Sequence, residues 1–404
     1  MGLQALLESI VRQGDLTLKL PGGGELKLGD GTGPKLVARI TSPLWAARIA
    51  AKPGLYVGEA YMDGGLVLEQ GAIGEFIDLI GSNAENQKKK RRSGFELWLR
   101  ERRAEMNARA AARKNVAHHY DLSDELYRRF LDADMQYSCG YFARPDMTLE
   151  EAQLAKKRHI AAKLGIEPGM RVLDIGCGWG GLAMTIAEET GAIVDGVTLS
   201  TEQLAVAKER AEARGLSGRA RFSLTDYRDV TETYDRIVSV GMFEHVGRPN
   251  YQAYFDGVAR LLNDDGVALI HAIGRPRRGV TSSWVAKYIF PGGYSPALSE
   301  IMQPIERAGL LVTDVEILRL HYAETIKHWR ERFEAHRGEI AELYDERFCR
   351  MWEFYLGIAE QSFRARRQFN WQVQLTKSVY ALPITRDYIA EAEQAMARPA
   401  SQVA

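Results

Sequence analysis

The chain has 404 residues, enough for a full α/β domain and a smaller one, and its 53 basic and 53 acidic residues leave no net charge that would indicate nucleic-acid binding. Its cysteines, Cys139, Cys177 and Cys349, have neither metal-ligand spacing nor an even count for disulfides, which favours a reducing cytoplasmic setting. No stretch approaches the roughly 20 apolar residues of a membrane span, and the N-terminus does not resemble a signal peptide, so we expect any membrane contact to be peripheral.

Residues 1–82 predict a small α+β domain. A helical pattern at the start precedes short alternating runs that are separated by glycine-rich turns. Helices are predicted at Leu3–Val11, Pro43–Ala51 and Gly71–Ile80, and strands at Leu16–Leu20, Glu25–Leu28 and Lys35–Ile40. The domain lacks a cluster of acids, histidines or cysteines, so we expect no catalytic residue in it.

Residues 83–115 are highly charged, and we interpret them as a basic helical linker. The basic run Lys88–Arg92 is followed by the largely apolar stretch Phe95–Leu99. Basic residues near an anionic lipid surface contribute about 1 kcal/mol each, and interleaved Trp and Leu can enter the interface. The pattern predicts membrane contact between Lys88 and about Arg113, and a solvated linker explains the same composition equally well.

Residues 116–404 show a βαβ rhythm that predicts a doubly wound sheet of about seven strands with helices on both faces. The predicted strands are Arg171–Ile175, Ala192–Thr198, Ala220–Leu224, Asp235–Val240, Gly266–Ala272, Leu310–Leu318 and Asn370–Lys377. Aromatic-rich segments lie between Ala272 and Leu310 and from His321 to Arg367. We interpret them as helical lid or pocket insertions, although core packing explains most of their aromatic residues.

The run Val172–Gly181, which reads VLDIGCGWGG, predicts a buried strand, a tight turn and the start of a helix. Open α/β sheets bind ligands at this place, outside the carboxyl ends of their strands. Its glycines also fit the dinucleotide pattern G-x-G-x-x-G, which is weak alone, and the only acid near the required distance, Asp195, lies in mid-strand. The run resembles the first motif of S-adenosylmethionine-dependent methyltransferases.

Six further motifs resemble those of one family in their residues and in their order along the chain. They are His119–Ser123, Tyr137–Phe142, Gly241–Gly247, His271–Gly274, Tyr288–Tyr294 and His321–Tyr322. From about Lys114 to Ala381 the chain is similar to the cyclopropane-fatty-acyl-phospholipid synthases, a family that includes the mycolic acid cyclopropane synthases. Gly58–Gly64 resembles the family's GESYMDG-type segment. The long N-terminal domain resembles the bacterial, phospholipid-acting branch.

The resemblance implies a class I S-adenosylmethionine-dependent methyltransferase fold in residues 116–404. It implies transfer of the sulfonium methyl to the cis double bond of an unsaturated phospholipid in the membrane, followed by proton loss and cyclopropane closure at the inner face of an anionic bilayer. Residues 1–82 are then expected to present lipid. Alternatives are a fatty-acyl C-methyltransferase with a methyl-branched or methylene product, and a non-catalytic lipid-binding relative. The oligomeric state stays open, with a homodimer as one option.

The resemblance also implies a bound bicarbonate ion as the base that removes the proton. Its expected binding groups are Cys139, Glu244, His271, Tyr322 and the backbone of Ile273. Each side chain has a plainer interpretation: a buried free thiol, an acid in a first helical turn, a satisfied core imidazole and a half-buried phenol. No histidine pair has metal-ligand spacing, and the chemistry requires no metal.

The expected S-adenosylmethionine site combines the glycine turn with three neighbouring segments. Gly176 and Gly178 are expected beneath the amino-acid part of the cofactor, with Asp174 holding the turn. Tyr137 and Ser138 are expected to cover the methionine end, Thr198, Leu199 and Gln203 to lie at the end of the second strand with Gln203 at the ribose, and Tyr227 and Arg228 to flank the adenine.

Overall fold

The computed structural model describes residues 3–86, 122–365 and 367–398. The predicted membrane-contact segment, Lys88 to about Arg113, and the histidine of the His119–Ser123 motif lie outside these ranges. Every helix within them is too short or too polar to cross a bilayer. The helices are α1 Leu3–Ile10, α2 Pro43–Ala51, α3 Pro53–Met62, α4 Ile73–Asn86, α5 Asp124–Phe130, α6 Leu149–Leu164, α7 Gly181–Thr190, α8 Thr201–Ala213, α9 Tyr251–Leu261, α10 Ser283–Tyr288, α11 Leu298–Arg307, α12 His321–Ala335, α13 Arg337–Leu343, α14 Glu346–Arg364 and α15 Asp387–Ala397.

The strands form two sheets. They are β1 Asp15–Lys19, β2 Glu25–Leu28, β3 Lys35–Ile40, β4 Leu66–Gln70, β5 Arg171–Ile175, β6 Ile193–Thr198, β7 Ala220–Leu224, β8 Tyr234–Val240, β9 Leu262–Gly274, β10 Leu311–Leu318 and β11 Phe369–Thr376. The small sheet has the order β2-β1-β3-β4, and the large one has the order β10-β11-β9-β8-β5-β6-β7. Each strand predicted for the large sheet is present, with ends that shift by a few residues.

The large sheet is parallel from β7 through β9, and β11 is antiparallel to both of its neighbours. Strand β5 is central and almost wholly buried, as expected for a parallel strand covered by helices on both faces. The order of the chain reverses at β5, between β6 and β8, so the carboxyl end of β5 lies at the topological switch point where α/β folds bind ligands.

The chain divides into two compact units by its contacts. The first contains the described residues up to 86 with Val280–Pro291 and Ile326–Gln368, and the second contains the described parts of 102–279, Gly292–Thr325 and residues 369–398. The first unit thus includes two segments that the sequence analysis assigned to residues 116–404. The functional boundaries at 82 and 115 stay predictions.

Within the first unit, the Gly58–Gly64 motif contacts both aromatic-rich insertions. Glu59 is buried, and its Oε1 accepts hydrogen bonds from Lys287 Nζ at 2.7 Å and from Tyr288 OH at 3.0 Å. The Tyr61 hydroxyl donates to Glu353 Oε2 at 2.7 Å. A Cβ atom at Gly58 would lie 2.4 Å from the Trp284 ring, so glycine is required there for close packing. The motif therefore holds the insertions in this unit.

Candidate active site

The glycine turn after β5 leaves open space. Gly176, Gly178 and Gly180 all have positive φ, at 83°, 54° and 80°, which side chains disfavour. The carbonyl of Val197 in β6 holds the turn because it accepts hydrogen bonds from the backbone of Gly176 at 2.9 Å and of Cys177 at 3.1 Å. A Cβ atom at Gly178 would meet no atom of the described chain within 4 Å. A ligand can therefore approach the backbone at Gly178.

Asp174, in β5, presents a buried acceptor beside this turn. Its Oδ2 has no hydrogen-bond partner among the residues that the structure describes. Burial raises the pKa of the carboxyl to about 7, and the charge of Lys156 acts in the opposite direction. No hydrogen bond to the turn supports the predicted holding role, which belongs to Val197. An unpartnered buried carboxyl instead suits a ligand that brings a hydrogen-bond donor.

The end of β6 brings Thr198 and Gln203 together. Ser200 caps α8, since its hydroxyl accepts the backbone N–H of Gln203 at 3.2 Å. This cap places the Gln203 side chain back over the strand end, where its Oε1 accepts from Thr198 Oγ1 at 3.3 Å. Both side chains are buried, and Leu199 is half-buried. Thr198 and Gln203, both predicted at this strand end, thus lie together, and the ribose role of Gln203 stays a prediction.

Tyr227 and Arg228 lie in a short 3₁₀ helix, Tyr227–Asp229, after β7. The guanidinium of Arg228 pairs with its neighbour Asp226, at 2.8 Å from Nε and 2.5 Å from Nη2. The Tyr227 ring packs edge-on against Tyr254 with centroids 5.5 Å apart. Arg228 therefore stabilises its own loop, and the adenine contact of both residues stays a prediction.

A buried lysine holds the segment that leads to Cys139. Lys156, in α6, donates to Gln136 Oε1 at 2.5 Å and to Ser138 Oγ at 2.9 Å. Gln153, one turn earlier, donates to the Ser138 carbonyl at 2.9 Å. Burial lowers the pKa of Lys156 to about 8, against the opposing charge of Asp132. The sequence analysis missed Lys156 because polar residues recur around α6 and leave no stripe that marks a buried one.

The segment of Cys139 is hydrogen-bonded to α12, the helix that carries Tyr322. Cys139 is fully buried, its thiol donates to the Gly140 carbonyl at 3.3 Å, and burial raises its pKa, so it stays protonated. The Gly140 N–H donates to Thr325 Oγ1 at 3.0 Å on α12, one turn after Tyr322, which is also buried. A neutral thiol is a weak donor and a poor nucleophile, and the predicted place of Cys139 in the wall of an anion site stays a prediction. Tyr137 packs nearby, with its ring 5.3 Å from Tyr127.

Glu244 is a buried acid with one free oxygen. It follows β8 in a 3₁₀ helix, Phe243–His245, and its Oε1 accepts the Ile273 N–H at 2.6 Å. Its Oε2 is buried and has no hydrogen-bond partner in the described part of the chain. Burial raises the pKa of Glu244 to about 7, although the bond from Ile273 acts to lower it. The Ile273 N–H, predicted to reach a bound anion, therefore meets Glu244 in this structure.

His271, in β9, is held by two amides from β11. Asn370 Nδ2 lies 3.1 Å from its Nε2, and Gln372 Nε2 lies 3.2 Å from its Nδ1. Burial lowers the pKa of His271 to about 3, helped by the charges of Lys156 and Lys163. A neutral imidazole has one donor and one acceptor, so one amide must present its oxygen and the other its N–H₂. The two amides thus hold a neutral imidazole from both sides, and the sequence analysis missed both.

The sequence profile of the mycolic acid cyclopropane synthetase family matches residues 107–373. The chain belongs to this family.

Members of the family resemble the chain over most of its length. The cyclopropane-fatty-acyl-phospholipid synthase of Escherichia coli K12 is 41% identical over 345 residues, which are 84% of this chain and 88% of that one. A probable fatty acid methyltransferase of Pseudomonas putida is 37% identical over 86% of this chain and 88% of its own. The crystal structure of the mycolic acid cyclopropane synthase CmaA1 with SAH and CTAB covers 65% of this chain and 97% of its own, at 36% identity and a TM-score of 0.62. The predicted family and the class I S-adenosylmethionine-dependent methyltransferase fold are confirmed.

Hydrogen bonds divide the predicted anion site of this cyclopropane synthase relative into two groups. Glu244, His271 and Ile273 lie at the ends of the adjacent strands β8 and β9. Cys139 lies in the other group, where the Gly140 N–H binds Thr325 on the helix that carries Tyr322. The charge of Lys156 acts on both groups, since it opposes the rise in the pKa of Cys139 that burial causes and helps to lower the pKa of His271. Within the described ranges, no three His, Cys, Asp or Glu side chains are arranged to hold a metal ion.

Proposed function

We propose that this protein is a cyclopropane-fatty-acyl-phospholipid synthase that methylates the cis double bond of an unsaturated phospholipid acyl chain and closes a cyclopropane ring. The observation that carries this proposal is the pairing of an open glycine turn with a sealed polar group, Glu244 and His271, at the ends of neighbouring strands of one sheet. The Escherichia coli relative, named for this activity, supports it.

The residues of the turn suit S-adenosylmethionine, which supplies an electrophilic methyl group when it is bound. Gly178 leaves space beside the backbone, and the unpartnered Oδ2 of Asp174 offers an acceptor to a cationic or N–H group. Gln203 and Thr198 would bind the ribose, and Ser138, fixed by Lys156, would close the methionine end. Tyr137, Gly176, Leu199, Tyr227 and Arg228 complete the proposed set.

The side chains of the sealed group keep charge and water away from the reacting carbons. An alkene is a poor nucleophile, so alignment must supply much of the rate, and a carbocation must be protected from capture. The low pKa of His271 keeps its imidazole neutral at pH 7, and Cys139, in the other group, stays protonated. With its pKa near 7, Glu244 is the one acid of the group that exchanges a proton near neutral pH. The group therefore offers oriented dipoles with little fixed charge.

The base for ring closure is the finer part of the proposal. Bicarbonate held by Cys139, Glu244, His271, Tyr322 and the Ile273 backbone would supply a small base, and the unpartnered Glu244 Oε2 supports its fit. Glu244 itself is the competing base, because its raised pKa suits proton removal near pH 7. Assay in buffer stripped of carbon dioxide, followed by restored bicarbonate, separates them. Bicarbonate predicts activity that is lost and then restored, and full activity after rigorous degassing assigns the base to Glu244.

The proposed reaction takes place at a membrane surface. We expect the protein at the inner face of the membrane, in peripheral contact with anionic lipid through the basic run Lys88–Arg92. We also expect residues 1–82 to present lipid, a role that the contacts of Glu59 with Lys287 and Tyr288 support. Sedimentation with anionic vesicles tests the first point: changing the five basic residues to Gln should abolish binding at low salt.

The reaction is tested with the purified full-length chain, S-adenosylmethionine and vesicles of cis-monounsaturated phospholipid. The expected product has gained one CH₂ per acyl chain by mass and has lost its olefinic protons by NMR. A methylene product would have the same mass and would retain olefinic protons, and a methyl-branched product would carry two further hydrogens. These outcomes would favour the activity suggested by the name of the Pseudomonas putida relative. Absence of any product would overturn the proposal.

A further inference from the structure

Three arginines, Arg248, Arg275 and Arg278, form a cluster with Glu300 and Tyr294 beside the sealed polar group. Glu300, in α11, has a side chain only 6% exposed, and its Oε1 lies 3.1 Å from Arg248 Nε and 3.3 Å from Arg278 Nε. Arg277 precedes Arg278, and Arg275 lies in the same loop after β9. Three positive charges therefore surround a single carboxylate, and Arg277 adds a fourth in the same loop.

The cluster is rigidly anchored through Glu300. The second carboxylate oxygen, Oε2, accepts the Tyr294 hydroxyl at 2.8 Å and the Ala297 N–H at 2.9 Å. The Arg275 guanidinium lies over the Tyr294 ring, 5.3 Å from its centroid. Because Glu300 is buried and two hydrogen bonds fix its Oε2, the contacts of Oε1 orient Arg248 and Arg278 before any ligand arrives, which reduces the entropic cost of binding.

The same cluster is bonded to the sealed group. The Tyr294 N–H donates to the Glu244 carbonyl at 2.9 Å, and the carboxylate of Glu244 receives the N–H of Ile273, two residues before Arg275. Arg277 and Arg278 are exposed. The arginine loop is thus the charged surface that continues directly from the proposed reaction site.

A phosphate is the ligand that suits these groups. Guanidinium groups bind phosphate oxygens through paired hydrogen bonds. Four residues from Ile273 to Arg277 span at most about 14 Å. In a leaflet about 15 Å thick, a mid-chain double bond lies roughly 7–8 Å below the headgroups. One lipid can therefore reach both places.

We propose that Arg278, oriented through Glu300, and its exposed neighbour Arg277 bind the phosphate of the phospholipid whose acyl chain is methylated. The inference rests on the proposed function and adds the group by which the substrate is recognised. Inorganic phosphate has the same chemistry, and a generally anionic surface would attract the same arginines, so the experiment must separate these three sources.

The first measurement does not need turnover. A saturated short-chain phosphatidylcholine, kept below its micelle concentration, is titrated calorimetrically into the full chain and into Arg277→Gln/Arg278→Gln. The matched control is Arg307→Gln/Arg319→Gln, which removes two exposed arginines of the same unit. We expect the double variant at 277 and 278 to lose about 10- to 100-fold in affinity and the control to lose none. Arg277→Lys/Arg278→Lys should retain part of the affinity, because it keeps the charge without the paired geometry.

The second measurement uses turnover in nonionic detergent micelles that contain an unsaturated phosphatidylcholine, phosphatidylglycerol or phosphate-free monoacylglycerol. Arg277→Gln/Arg278→Gln should raise KM for both phospholipids and leave kcat within about twofold of the parent value. Neither KM nor kcat for the monoacylglycerol should change. Inorganic phosphate should compete with phospholipid in the parent protein more than in the variant. An effect confined to phosphatidylglycerol would assign the arginines to surface attraction, and an equal loss on all three lipids would assign them a structural role; either overturns the inference.

The two proposals fail separately. If no lipid is methylated but the phosphatidylcholine titration shows the expected loss, the proposed function fails and the phosphate site stands. If methylation proceeds and neither affinity nor KM changes in Arg277→Gln/Arg278→Gln, the phosphate site fails and the proposed function stands.

Discussion

The glycine turn after β5 and the sealed group at the ends of β8 and β9 lie on one sheet but are built in opposite ways. The turn offers backbone and empty space at Gly178, so it can bind a ligand because no side chain fills that space. The sealed group consists of side chains, Glu244 and His271, whose charges are suppressed by burial. This difference supports the proposal that the cofactor binds at the glycine turn while protons are exchanged at the sealed group. Variants on each side should therefore change either cofactor affinity or turnover, but not both.

The largest effect is expected for Glu244→Gln. The amide oxygen can still accept the Ile273 N–H, but the side chain can no longer exchange a proton. Turnover on vesicles should fall by roughly 10²- to 10⁴-fold while the Kd for S-adenosylmethionine stays within about threefold. Steady-state kinetics and calorimetric titration measure the two quantities. Glu306→Gln, an exposed acid of the same unit, serves as the control. Loss of cofactor affinity would move Glu244 into the cofactor site.

His271→Ala should reproduce the kinetic effect and add a loss of stability. The truncation leaves the buried amides of Asn370 and Gln372 without their partner, which costs about 1–3 kcal/mol in the free energy of unfolding. Urea denaturation and cofactor titration measure this cost and the retained affinity. His271→Gln, which keeps a polar group facing both amides, should recover part of the stability but not the turnover. Unchanged turnover in either variant would contradict the assignment.

Gly178→Val should impair cofactor binding at the glycine turn. A valine there fills the space above the turn and must adopt a φ of 54°. We expect the Kd for S-adenosylmethionine to rise by more than about 100-fold, a change measured by calorimetry. Gly215→Val is the matched control, since Gly215 has a φ of 66°, also has open space around its Cβ, and follows α8 away from the turn. Equal loss in both variants would point to backbone strain alone.

The free energy of unfolding should depend on pH through the buried carboxyls of Glu244 and Asp174. Burial raises the pKa of Glu244 from 4.5 to about 7, so between these values the unfolded state loses its proton first. The free energy of unfolding should therefore fall as pH rises from about 4.5 to 7, by roughly 2–3 kcal/mol from this group. Glu244→Gln should flatten the slope by that amount. Asp174→Asn should flatten it in the same direction, because burial also raises that pKa to about 7. An unchanged slope in both variants would contradict burial of a carboxyl at either place.

The smallest effect is expected for Glu59→Gln in the first unit. The change removes the charge that strengthens the hydrogen bonds from Lys287 and Tyr288, but the amide oxygen can still accept them. Activity on vesicles should fall by about three- to tenfold, while the Kd for S-adenosylmethionine should not change. Glu75→Gln, in α4 of the same unit, is the control. If cofactor affinity fell as far as activity, the motif would be a folding requirement for the whole chain.

The sequence predicted the large sheet well because its strands are continuous apolar runs bounded by clear turns. It missed α3 and β4 in the first unit, where Pro53 begins a helix directly after α2 and a strand of five residues follows. The motifs located Glu244, His271 and the glycine turn. They did not locate Lys156, Asn370 or Gln372, because a buried polar residue has the same sequence pattern as an exposed one until its partner is known.

Strand β11 has a consequence for the order of events during synthesis. It follows the other strands of its sheet in the chain, yet it inserts between β9 and β10. Its polar side chains reach His271 from 99 and 101 residues further along. At about 5–20 residues per second, translation reaches them roughly 5–20 s after His271 is made. A nascent chain therefore lacks an oriented imidazole, and the proposed methylation of lipid has to wait until β11 has left the ribosome and joined the sheet.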